Sequence, residues 1–156
     1  MAARTRGAGG GDIIGGMYVA DGSTAQTAIA AQTLMTGWAA AGVNGVADGM
    51  VPDKANNRIT ATYAGVYTIT FNISFSGDIG VAYQFHLAVG GAEKAQACVM
   101  RKVGTGGDVV GGSFTTLVTL AAGDVITILV TSDDAGGADM TPVQANLVCT
   151  RLSGSG

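Results

Sequence analysis

The sequence predicts an all-β protein, a sandwich of short strands behind a Gly-rich extended arm. Three observations carry this. Val, Ile, Leu, Phe, Tyr and Thr gather in short blocks, several with strict period-two alternation. Gly-rich segments separate the blocks at the spacing of sandwich or barrel strands, and none of the 156 residues falls in a convincing helix pattern.

The elements follow in order. Residues 1–16, MAARTRGAGGGDIIGG, form the arm; Gly is costly to order, so such a segment is either loose or laid on a partner. The body is expected over 17–152, with 153–156 as a tail. MYVADG (17–22) reads as a short strand and turn. TAIAAQTLMTGW (27–38) permits a helix, but its Thr content and the Gly clusters after it favour extended chain. Residues 39–57, with Gly42, Gly45, Gly49, Pro52 and Asn56-Asn57, read as irregular loop with room for one short strand.

Clear strand signals begin at Asn57. Ile59, Ala61 and Tyr63 take odd positions before Ala64-Gly65, and Tyr67, Ile69, Phe71, Ile73 and Phe75 take odd positions after it. Tyr83, Phe85, Leu87 and Val89 alternate with Gln84, His86 and Ala88, and Gly90-Gly91 closes that strand as a turn. A weaker strand covers Ala95–Val103. After a loop at 104–108, Phe114, Thr116, Val118 and Leu120 share one face of a strand over 113–120. Residues 121–124 turn, with Asp124 placed to cap backbone amides. Val125–Thr131 is nearly all apolar, 132–140 is an acidic loop, and 143–152 is the last strand.

The Ala64-Gly65 step decides the architecture. In a two-residue hairpin Tyr63 would pair with Val66, and the apolar positions of one strand would lie beside Thr68 and Thr70 of the other. A three-residue bulged loop restores the match. A corner that carries the chain from one sheet to the other turns both odd faces inward. The corner is favoured, and it makes the fold a jelly-roll β-sandwich.

RITATYAGVYTITFNISFSG (58–77) resembles the strand–Gly–Tyr–strand signature of the tumour necrosis factor and complement globular-head superfamily. AAGDVITILV (121–130) is similar to that family's late Gly-Asp strand opening, and VQANLVCTRL (143–152) to its closing strand. Residues 17–38 look like the lead-in of bacteriophage virion proteins of this jelly-roll type. The resemblance implies a homotrimer of compact subunits with about ten strands each, the expected strand count of a small sandwich.

Charge points the same way. Nineteen charged residues on a monomer expected to expose roughly 7,200 Å² is about half the usual density. Low charge invites association. With net charge −3 and no basic stripe, nucleic acid is not an expected partner, and no apolar run suits a membrane span. The N-terminus has no apolar region behind its arginines, so no secretory signal is expected.

Catalytic groups are sparse. His86 is the single histidine and is expected on the outward face, so a His-based zinc site or proton relay is hard to build. Cys98 and Cys149, among apolar neighbours, are expected to be free and buried. No G-x-S-x-G elbow or phosphate loop occurs, and no cofactor is expected. Asp133, Asp134 and Asp139 lack calcium-loop spacing and read as turn residues. Trp38 is a packing anchor or, less favoured, a sugar platform.

These features point to a structural virion protein and not an enzyme. It would be a homotrimer that decorates or cements a bacteriophage capsid, assembled in the host cytoplasm. Arg4, Arg6, Asp12, Ile13 and Ile14 of the arm would grip the major capsid protein. The sixteen arm residues could reach roughly 50 Å when extended. The alternative is a receptor- or carbohydrate-binding fibre head that uses loops 76–81, 104–112 and 132–140.

Overall fold

A computed structural model of the chain describes residues 13–20, 22–104 and 108–153. The strands are β1 (Ile14–Val19), β2 (Gln26–Ile29), β3 (Thr33–Leu34), β4 (Gly42–Asp48), β5 (Met50–Asp53), β6 (Arg58–Ala61), β7 (Gly65–Gly77), β8 (Ala82–Val89), β9 (Ala92–Lys102), β10 (Val110–Leu120), β11 (Val125–Ser132) and β12 (Ala138–Ser153). A five-residue helix, α1 (Gly37–Ala41), precedes β4. All pairings are antiparallel. The first sheet runs β10-β7-β12-β1-β4, with β2 on β12; the second runs β5-β6-β11-β8-β9, with β3 on β11. The fold is the jelly-roll sandwich that the sequence predicts.

The Ala64-Gly65 corner changes sheets. β6 lies in the second sheet and β7 in the first, so Ile59 and Ala61 face Tyr67, Ile69, Phe71, Ile73 and Phe75 across the core, all of them buried. Tyr63 departs from the expectation. It lies beyond the last paired residue of β6, where alternation no longer binds it, and is 51% exposed. Its carbonyl accepts the Tyr67 hydroxyl at 2.7 Å, which holds the corner from inside.

The core is an aromatic spine. Phe71 lies 5.8 Å from Phe85 and 5.3 Å from Phe114, and Phe75 lies 5.3 Å from Tyr83 and 5.1 Å from Phe85. Such offset and edge-on pairs add to the area they bury. Trp38, carried by α1, is fully buried edge-on to Phe71, so it is a packing residue and no sugar platform. Tyr83 donates to the Asp139 carbonyl at 2.5 Å and accepts from the Asp78 amide at 3.0 Å, joining β8 to the start of β12. Burial pushes the Tyr67 and Tyr83 phenols above their ordinary range. At one edge of the sandwich, Arg101 Nε donates to the Gly111 carbonyl at 2.5 Å and ties β9 to β10.

Several expectations need correction. Residues 39–57 are not irregular: they hold most of α1, then β4, β5 and a 3-10 turn at Lys54–Asn56. β4 is an edge strand with one buried position, so no alternation marks it. Residues 27–38 are extended at β2 and β3 as expected, but α1 begins at Gly37. The last strand starts at Ala138, inside the expected loop, because β2 pairs with it there. The arm boundary at residue 16 falls within β1, whose first residue, Ile14, pairs with both Thr150 and Asp48. The Gly90-Gly91 turn is as expected: both residues have left-handed backbone (φ +58° and +79°), as a two-residue hairpin of this twist demands.

Two stability predictions follow from the core. Phe71→Ala empties the centre of the spine and should cost about 3–5 kcal/mol by denaturant unfolding. At Gly77 an added Cβ would lie 2.7–2.8 Å from the ring and hydroxyl of Tyr83, which its two hydrogen bonds fix. Gly77→Ala should therefore cost about 1–3 kcal/mol, whereas an unchanged midpoint would mean that the ring moves freely.

Candidate functional site

The alternation that turns the odd residues of β7 inward turns its even residues outward, and register extends that face over four strands. One row reads Leu117, Thr68, Thr150, Ile14; the next Thr115, Thr70, Val148, Gly16; the third Ser113, Asn72, Asn146, Tyr18. None of these twelve positions carries a charged side chain. Leu117 is 59% exposed and Tyr18 42%. The Thr70 and Thr115 hydroxyls pair at 3.2 Å, which lowers the polarity of the centre further. Asp48, opposite Ile14 on β4, places the first charge at the rim.

Two depressions indent the same face. One of about 250 Å³ lies between β1 and β4, where Gly16 and Gly45 leave room among Ile14, Tyr18, Val46 and Val148. The other, of about 420 Å³, has a mixed lining, with Asn72, Ser74, Gln144 and Asn146 beside Val19, Ile73 and Ala145. A flat, uncharged, indented face of this kind suits a complementary protein surface.

The outer face of the second sheet differs. Asp53 and Arg58 pair there at 3.5 Å, Lys102 lies opposite Ala82, and His86 Nδ1 lies 2.7 Å from Glu93 Oε1. The side-chain amide of Asn56 and, less strongly, the Arg58 charge hold the Asp53 carboxyl below its usual range. The strands of this face thus carry charged side chains, where the three mapped rows of the first sheet carry none.

The residues singled out from sequence are scattered. Arg4, Arg6 and Asp12 lie outside the described residues. Ile13 is buried in the chain's own core, and its carbonyl accepts the Arg151 amide at 2.8 Å. Ile14 sits half-buried on the uncharged face. His86 does point to the outer side of β8, but it is only 7% exposed, not a surface residue. Cys149 is buried and free, with its thiol pushed up to about 12 by burial. Cys98 is free but only partly buried, contrary to expectation, because it lies on the outer face opposite His86.

The aspartates of the 132–140 loop are held by backbone amides. Asp133 accepts from Ala82 at 2.8 Å, Asp134 from Gly136 at 2.9 Å and Asp139 from Ala28 at 3.0 Å. Asp124 caps the Ala121 amide at 2.8 Å. The outward rows were not singled out from sequence, although the uncharged even positions between Val66 and Ser76 were their visible sign.

No protein-family model matches this sequence, and no curated protein matches it. Solved structures do match in fold. The chain is similar to Eiger TNF from S. frugiperda (10% identity, TM-score 0.66, covering 93% of this chain and 95% of that one). It is also similar to the globular domain of zebrafish complement 1qA protein (11%, 0.63, 92% and 99%). Murine APRIL matches at 11% identity and a TM-score of 0.58, covering 89% of this chain and 99% of that one. At such identities the likeness is one of fold: this chain folds as a TNF-like and complement-head-like jelly roll.

Proposed function

We propose that the chain is a structural protein that assembles as a homotrimer through the uncharged face of the first sheet, and that in this form it decorates and cements a bacteriophage capsid. The observation that carries the reading is the run of twelve uncharged outward positions across β10, β7, β12 and β1. Packing such a face against copies of itself removes apolar surface from water without stranding an ion. The jelly-roll resemblance adds the expectation of three copies.

β1, which follows residues 1–12 in sequence, begins at Ile14 on the margin of this face. Residues 1–12 are the segment proposed to reach the major capsid protein on the virion surface, with Arg4 and Arg6 as the charged contacts. A cement protein needs contact area rather than catalysis, and a segment ordered on binding supplies area. The fibre-head alternative ranks second, because the large exposed side chains of its loops, Ile79 and Val109, are aliphatic.

Leu117→Lys tests the assembly. It buries an unpaired ammonium once per subunit, and it should convert the trimer to monomers in size-exclusion chromatography with light scattering while the circular dichroism stays unchanged. Val51→Lys, on the outer edge of the other sheet, should leave the trimer intact. A Leu117→Lys protein that keeps the wild-type mass would remove this face from the interface. Deleting residues 2–11, which spares Ile13 and β1, tests the capsid role: the truncated trimer should no longer co-sediment with shells of the major capsid protein from the same genome. Undiminished co-sedimentation would exclude the arm.

A further inference from the structure

The outer face of the second sheet holds a cluster that neither the fold nor the self-association face requires. Cys98 of β9 lies opposite His86 of β8, with Sγ 3.9 Å from His86 Nε2. The other ring nitrogen, Nδ1, lies 2.7 Å from Glu93 Oε1, and Gln32 Nε2 donates to the second oxygen of that carboxylate at 2.8 Å. Gln84 Nε2 donates to Cys98 Sγ at 3.0 Å. A thiol, an imidazole and a carboxylate thus lie side by side, with an amide donor on the sulfur.

We propose that Cys98, His86 and Glu93 form a thiol-exchange site at which Cys98 forms mixed disulfides with small-molecule disulfides. The nucleophile in such exchange is the thiolate, so the site needs a proton acceptor at the sulfur. With Nδ1 held toward Glu93, Nε2 is the nitrogen left to accept the Cys98 proton. The sulfur then attacks one sulfur of the incoming disulfide. That S–S bond breaks as the bond to Cys98 forms, and the departing thiolate takes the proton from His86. One disulfide is consumed and one is formed, so no further oxidant enters.

The surroundings favour this use of the cluster. His86 is 7% exposed and Nδ1 makes no aligned hydrogen bond, so the Glu93 carboxylate 2.7 Å away, itself 38% exposed, is the acceptor within reach of that nitrogen. Across β11 the histidine meets Leu129, which does not ionise. Charged groups on the adjoining strand are Glu93 with its sequence neighbour Lys94, Lys102 two rows further along, and Arg101, which is turned toward Gly111 of β10. Cys149, buried in the other sheet with its thiol raised to about 12, is an unreactive internal control.

The test uses the intact chain and 2,2′-dithiodipyridine, a neutral disulfide whose released thione is followed by absorbance, with the modified residue located by mass spectrometry. One equivalent should react in the folded protein, on Cys98, and Cys149 should react only after unfolding. His86→Gln should slow the reaction at pH 6.5 about tenfold or more, at the low end of what a positioned base contributes. The pH dependence of the rate should change with it, because the base that takes the thiol proton is gone. Glu93→Gln, at an exposed position that the fold tolerates, should slow it in the same direction. A Glu93→Gln protein with the wild-type rate and pH profile would show that the pair is only structural and overturn the proposal, as would a Cys98 that stays unmodified in the folded chain. The site lies on the sheet opposite the self-association face, so neither result depends on the oligomer.

Discussion

The structure depends on β7 keeping period-two alternation over thirteen residues while β10 and β12 pin it on both edges. A slip of one residue against either neighbour would send five large apolar side chains to solvent and an equal run of Thr, Asn and Ser into the core. The aromatic spine and the uncharged outer rows are therefore two sides of one constraint. Register fixes both, and the corner at Ala64-Gly65 supplies the second layer that makes the inward side a core.

From that constraint the sandwich acquires two unlike exteriors. On the first sheet, hydroxyl, amide and aliphatic groups replace charge across four strands, and Gly16 and Gly45 open an indentation among them. On the second, ion pairs and a histidine occupy the outer rows. The asymmetry leaves one side with ionised groups to hold water and the other suited to contact with protein.

Much of this was legible in the residues. Odd-position alternation on both sides of Ala64-Gly65 argued against a two-residue hairpin and favoured a corner over a bulged loop, and the sheets divide at that step. Gly90-Gly91 announced a turn that needs two left-handed residues, and Asp124 caps the amide three residues before it, as its place after Gly123 suggested. Edge elements were illegible. β4 buries one residue in seven, and β3 is two residues long, so neither leaves a hydrophobic period. The cysteine–histidine pairing was hidden by a register slip. From Val89 opposite Ala92, unbroken pairing would set Ala95 against His86; the irregularity between His86 and Ala88 brings Cys98 there instead. Sequence spacing carries no trace of such a slip, so alternation placed the histidine on the right face and missed its neighbours.

Hydroxyl-radical footprinting of the native protein tests the central claim most directly, because it reads each face in place. Leu117 and Tyr18 on the first sheet are exposed in the single chain, at 59% and 42%, as are Val51 and Met100 on the second, at 55% and 56%. If copies cover the uncharged face, Leu117 and Tyr18 will be protected at working concentration and will label on dilution to single chains, while Val51 and Met100 label throughout. Labelling of Leu117 and Tyr18 at the single-chain level under all conditions would contradict the account.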